Sequence, residues 1–164
     1  MGGYGIKNSF LYLWRMKVSN DIELNKLSDY LKNRAAGLNE SLEKAIKQCG
    51  EKIRSDIQYE MAHTARNTSI SYNGHNPSMP NNPPAPDTGN LRNSIRYEVH
   101  SENKEIYGII GSTQKDPDYA VYTEYGTSRM APRPWLRPAM MNNNDFIRST
   151  LTAAVKKNFE GARS

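Results

Sequence analysis

The chain has 164 residues, enough for one hydrophobic core of ordinary size and too few to call for two. Its 22 Lys and Arg against 17 Asp and Glu leave a net charge of +5, which suits nucleic acid or an acidic protein as partner without choosing between them. A single cysteine, Cys49, excludes an internal disulfide framework, and a hydrophobic share of 37% leaves room for loop or arm beside the core.

The opening "MGGYGIKNSFLYLWRM" holds an apolar run from Phe10 to Trp14 that is too short for a signal segment or a membrane span, so no targeting and no membrane are expected. Residues 1–19 read as an N-terminal arm carrying Lys7, Arg15 and Lys17, suited to docking on another surface, and residues 20–164 as a single α+β domain. From Asn20 onward Ile22, Leu24, Leu27, Leu31, Ala35, Leu38, Leu42, Ala45, Cys49, Ile53 and Ile57 recur in steps of three and four, the pattern of a long amphipathic helix. Asn20 with Glu23 resembles a capping box. Some forty residues of helix would run about 60 Å, roughly twice the width of a small domain, so a bend or break is expected, with Gly37 as the favoured place. Cys49 lies on the apolar stripe and is expected to be buried and inert.

Residues 64–86 are rich in Pro, Asn and Ser without apolar periodicity and read as a long loop. In "DTGNLRNSI" Asp87 or Thr88 is the expected cap of a short helix. "IRYEVHSE" alternates apolar and polar residues, "IYGIIGST" is apolar on both faces, and the pair reads as a hairpin whose second strand is central. Asp116 and Pro117 then open a helix over "DYAVYTEYG" that stops at Gly126. Its Tyr119, Tyr122 and Tyr125 are expected to pack against the sheet, and Glu124 to pair with an arginine. Pro132, Pro134 and Pro138 make the following stretch a stiff extended strap that carries Arg129, Arg133, Trp135 and Arg137. Met140, Ile147, Leu151, Val155 and Phe159 trace a final amphipathic helix. The fold class is therefore α+β: a long N-terminal and a C-terminal helix packed on a small, mainly antiparallel sheet.

His63, His75 and His100 show no metal-ligand spacing, and "GYG" and "GIIG" lack the strand-to-helix context of a phosphate loop, so no metal and no cofactor are expected. The tyrosines and Glu124 do not make a set of nucleophile, base and orienter, and no catalysis is expected either. Arg129, Arg133 and Arg137 around Trp135 suit DNA phosphates and bases, and equally a protein interface, where Arg and Trp are the commonest hot spots. Residue types alone leave that choice open.

The pieces Pro86-Asp87-Thr88-Gly89, Leu91-Arg92, Ser94-Ile95, Tyr119-Ala120, Glu124-Tyr125-Gly126-Thr127 and Arg133-Pro134-Trp135-Leu136-Arg137-Pro138-Ala139 resemble, in order and spacing, the head-tail joining or tail-completion proteins of phages with long non-contractile tails. The resemblance covers about residues 24–160. It departs from the common form in Trp135, where phenylalanine is frequent, and in a longer, Asn-richer loop at 64–86. It implies a structural virion protein of the neck, without enzymatic activity, assembled in the host cytoplasm as a homo-oligomeric ring that is expected to be hexameric. The implied partners are further copies of the chain, a head-completion or stopper protein, a tail terminator or tail tube protein, and phage DNA passing non-specifically through the lumen. The rival readings are a tail terminator ring and a non-specific DNA-binding module. The residues expected to serve the interface are Asp87, Arg92, Glu124, Arg129, Arg133, Trp135 and Arg137.

Overall fold

The computed structural model describes residues 14–17, 35–69, 71, 74–85, 87–102, 105–114 and 117–160, so the expected cap at Asn20, the helix before residue 35, the arm before Trp14 and the cap at Asp116 lie outside the described residues. The apolar repeat becomes one helix, α1 (Ala35–His63), which runs through Gly37 without a break. One glycine costs a helix about 1 kcal/mol, less than burial of an apolar stripe returns. A short α2 (Asn90–Ser94) leads directly into strand β2 (Ile95–Glu102), and β3 (Glu105–Ser112) pairs with it as an antiparallel hairpin. Trp14–Lys17, within the stretch read as an arm, form a strand, β1, and the sheet order β1-β3-β2 places the apolar β3 at the centre. Helices α3 (Pro117–Tyr125), α4 (Leu136–Asn142) and α5 (Asn144–Glu160) complete the α+β fold. The final helix expected from Met140 onward is therefore two helices, parted at Asn143.

The residues gather into two compact units, to both of which α1, β2 and β3 contribute. In the unit formed by residues 14–51, 97–109 and 144–164, Leu42, Ile46 and Ile106 are the buried centre, with Leu38, Val99, Leu151, Ala154 and Val155 packed around them. Val99 and Ile106 thus lie on the core side of the hairpin. By strand alternation Glu98, His100 and Glu102 of β2 and Glu105 and Tyr107 of β3 share the other side, where the His100 and Tyr107 rings stack at 5.3 Å. Cys49 is fully buried, and burial pushes its thiol above the ordinary value, with Thr150 opposing through a hydrogen bond. At Gly50 a Cβ would stand 2.6 Å from Tyr97 Cδ2 and 2.7 Å from Cγ, so the ring lies directly on the helix backbone and only glycine leaves it room.

The other unit takes residues 52–96 and 110–143. Ile53, Ile57, Met61, Leu91, Ile95, Ile110, Trp135, Leu136 and Met140 are the larger of its buried apolar side chains. Gln58 Nε2 ties α1 to α2 through a 3.0 Å bond to the Arg92 carbonyl, and the hydroxyls of Ser94 and Ser112 meet at 2.7 Å where the hairpin begins and ends. Buried Asn143 donates from Nδ2 to Asp56 (2.8 Å) and to the Ala139 carbonyl (2.9 Å), closing the end of α4. The short helix α2 differs from expectation at its start. Gly89, in the left-handed region at φ 78, is its N-cap, while Thr88 accepts a long 3.3 Å bond from the Asn90 amide.

Candidate functional site

The strap begins where α3 must stop. Gly126 takes φ 76, and a Cβ there would stand 2.6 Å from the Met130 carbonyl oxygen and 2.8 Å from Pro132 N, so both backbone angle and space demand glycine. The chain then turns tightly, with Thr127 and Met130 forming an isolated antiparallel bridge. Beyond it Arg133 N donates to the Thr123 carbonyl at 2.7 Å, and the Pro132 carbonyl accepts from Asn81 N at 2.8 Å. The prolines donate nothing, so the strap's few amides and carbonyls are spent on α3 at one edge and on the long loop at the other. That loop is itself closed by Asn67 N bonding to the Pro77 carbonyl at 2.7 Å.

Glu124 holds the end of the strap. Its side chain is 4% exposed and accepts three backbone bonds, from Trp135 N (2.7 Å) and Leu136 N (2.9 Å) on Oε2 and from Arg137 N (3.0 Å) on Oε1. These amides are the free donors at the start of α4, and a carboxylate there also meets the positive end of the helix dipole. The expected pairing of Glu124 with an arginine is thus corrected: backbone amides take both oxygens. Arg137, expected to be extended before Pro138, is helical. Pro138 falls in the first turn of α4, where the missing amide has no partner to lose. Trp135 is 5% exposed and donates from Nε1 to the Ala120 carbonyl at 3.2 Å, so its ring locks α3, strap and α4 together from inside the unit.

The tyrosines face the other way from expectation. Ala120, Thr123 and Glu124 form the buried side of α3, while Tyr119, Tyr122 and Tyr125 are 43%, 46% and 45% exposed. The inward side is filled by the carboxylate and its amides, and the aromatic side is left partly exposed. Arg137 lies over the Tyr125 ring at 5.1 Å, a cation–π contact, and Arg129 is exposed. Arg133 is half-buried and tied inward through Nε to the Ser78 carbonyl (3.2 Å) and Nη1 to the Ala131 carbonyl (3.3 Å). Asp87 pairs with His75 at 2.8 Å, and burial, then Asp87, push the Tyr119 phenol up while Arg133 opposes. Arg92 is half-buried, with only a long 3.4 Å bond from Nε to Asn93.

Of the residues expected to serve an interface, Arg129 and Arg137 are available on the surface, Asp87, Arg92 and Arg133 are partly engaged, and Trp135 and Glu124 are internal braces. The exposed tyrosine face and the carboxylate cap were missed by sequence reasoning. Spacing at 119, 122 and 125 reveals that the rings share a face but not which way the face points. An acid eleven residues before a proline-flanked helix start was the signal for Glu124, and it is a weak one.

Among the described residues no group of three or more His, Cys, Asp or Glu could hold a metal ion, and no helix is long and apolar enough to cross a membrane. Neither a curated protein nor a solved structure matches the chain. One family model does, over residues 25–126, from the region of α1 through α3 to Gly126, and its description reads "Bacteriophage HK97-gp10, putative tail-component". The span covers well over half of the chain and ends just before the strap. With the α+β fold and the motifs leading up to Gly126, it establishes that the chain belongs to the HK97-gp10-like family of phage tail components.

Proposed function

We propose that this chain is a structural subunit of the phage neck, assembling as a ring, hexameric in the simplest arrangement, that joins the DNA-filled head connector to the tail tube and lets DNA pass through its opening. Family membership supports the tail location. The observation that carries the mechanical part is the strap. It is fixed at both edges by backbone bonds, clamped at its end by Glu124 and filled beneath by Trp135, and it carries exposed Arg129 between the tyrosines of α3 and Arg137 of α4. A subunit under load between two other rings needs such a surface, because residues ordered before association lose less entropy when they bind. Tyrosine and arginine are also the side chains that most often dominate protein interfaces.

The chain acts without catalytic turnover in this reading, and DNA meets it only as a polyanion passing by. A net charge of +5 supports weak, salt-dependent and sequence-independent contact. The test is deletion of the gene from the phage. Full heads and separate tails that fail to join are expected under the electron microscope. Normal infectious particles without the protein would remove the neck reading.

A further inference from the structure

Two clefts adjoin in the unit of residues 52–96 and 110–143. The larger, about 260 Å³, is lined by Gly89, Leu91 and Arg92 around the start of α2 and by Gln114, and the smaller, about 170 Å³, by Arg66, Ser78 and Arg133. Pro84, Ala85, Asp87 and Tyr119 line both, so the two make one groove along the stretch from Asp87 to Arg92. Its polar groups are short of partners. Nη1 and Nη2 of half-buried Arg92 make no hydrogen bond among the described residues, and Nε has only the long one to Asn93. The buried oxygens Gln114 Oε1 and Ser78 Oγ have none either, and their residues line one cleft each. Buried polar atoms are seldom left unpaired in a native fold, and two on one groove point to a ligand that supplies what they lack.

Along the lining three arginines, Arg66, Arg92 and Arg133, stand against one acid, Asp87, which His75 already meets at 2.8 Å. Asp118, next to Tyr119 in the chain, lines neither cleft. The groove therefore suits an anion. A nucleic-acid backbone carries acceptors only, so it offers nothing to Gln114 Oε1 and is repelled by Asp87. A peptide brings a carboxylate for an arginine fork and main-chain N–H groups for the oxygens, and Pro84, Ala85 and Leu91 give its side chains an apolar wall. We propose that this groove binds an extended acidic peptide segment of another virion protein, with a carboxylate on Arg92 and a main-chain amide donating to Gln114. The class of partner rests on the neck reading above. A second copy of the chain is the poorer occupant. Every acid among the described residues except Asp87 stands on a helix or on a hairpin strand, which leaves no extended acidic segment to offer.

The test is fluorescence anisotropy on the full chain with amidated pentapeptide mixtures, labelled with fluorescein at the amino end, glutamate fixed at the centre and the other positions randomised. This mixture should bind, and the same mixture with glutamine at the centre should bind at least about tenfold more weakly, through loss of one charge-assisted contact. Arg92→Ala should weaken the glutamate mixture by a similar factor and leave the melting curve nearly unchanged, since that side chain makes only one long bond. Arg92→Lys, which keeps the charge and loses the fork, should fall between the two. The glutamine control leaves the protein untouched, so it decides the matter even where a variant folds poorly. Equal binding of the two mixtures, or binding of neither, overturns the proposal. A labelled thymidine hexanucleotide that binds more tightly and displaces the glutamate mixture also overturns it and gives the groove to DNA. Self-association of the chain that Arg92→Ala abolishes, read by sedimentation, overturns it in favour of a second copy. None of these results touches the neck reading, which stands or falls by particles made without the gene.

Discussion

Replacing Glu124 by glutamine keeps the shape of the side chain and removes its charge. The amide oxygen can keep the two bonds that Oε2 now accepts from Trp135 N and Leu136 N, but the new NH2 group faces the Arg137 amide, donor against donor. Two charge-assisted bonds become ordinary ones and a third is lost. Hydrogen bonds to charged groups contribute about 1.5–3 kcal/mol against about 1 for neutral ones. A carboxylate at a helix start adds about 0.3–1 kcal/mol, and up to about 2 where partly buried. Taking the low end of each range, because the contributions overlap, the expected cost is about 3–4 kcal/mol, a large share of the roughly 5–15 kcal/mol that holds a domain together. Glu124→Ala should cost more, about 4–6 kcal/mol, since it leaves three amides unsatisfied around a cavity. Urea unfolding followed by tryptophan fluorescence measures this in a Trp14→Phe background, where Trp135 is the sole tryptophan. A Glu124→Gln variant within about 0.5 kcal/mol of its parent would refute the reasoning, because surface changes typically lie inside that band.

Gly50→Ala should destabilise by about 1–3 kcal/mol through overpacking against the Tyr97 ring, although helix propensity alone predicts a gain of about 1 kcal/mol. Adding Tyr97→Leu should recover part of the loss in the same urea assay, and a stabilising Gly50→Ala would contradict the close packing. The Cys49 thiol should resist Ellman's reagent at pH 8 in the folded protein and react at once in denaturant. Its burial raises the folded value, so its contribution to stability is whole below the ordinary 9.0 and is lost as pH rises beyond it, visible as a falling melting temperature in alkaline buffer. Arg129→Ala with Arg137→Ala should shift the subunit's stability by about 1 kcal/mol or less, since one is exposed and the other makes only a surface cation–π contact. Incorporation into particles, measured by immunoblot, should fall sharply, and equal losses in melting and incorporation would show that these arginines serve their own unit instead.

Much of the architecture was legible because it follows from periodicity. Steps of three and four from Ala35 to Ile57 could only be helix, the alternation at Ile95, Tyr97 and Val99 could only be strand, and the two-faced apolarity of Ile106, Ile109 and Ile110 belongs to a central strand. Gly126 was legible as a stop because its conformation is local. The site was less so. Whether Tyr122 points inward depends on what competes for the inner side of α3, and the winner, Glu124, is an acid that composition places on a surface. Arg137 read as extended because the rule for residues before proline is local, while the helix start that overrides it is held by a carboxylate thirteen positions earlier in the chain. Pairings between distant residues decide such cases, and they leave no period.

The closure between Glu124 and the start of α4 has a kinetic side. Its three bonds join residues eleven to thirteen positions apart, so the segment between them is a short loop. Loops of about ten residues close in roughly 10–100 ns, and the entropy they lose grows only slowly with length. By contrast, Asn143 must find Asp56 across 87 positions. The turn of α3, strap and α4 can therefore be in place long before the distant parts of its own unit meet. The side of this unit that carries the exposed tyrosines is thus built on contacts local in the chain, whereas the end of α4 is tied down by one of the longest separations in it.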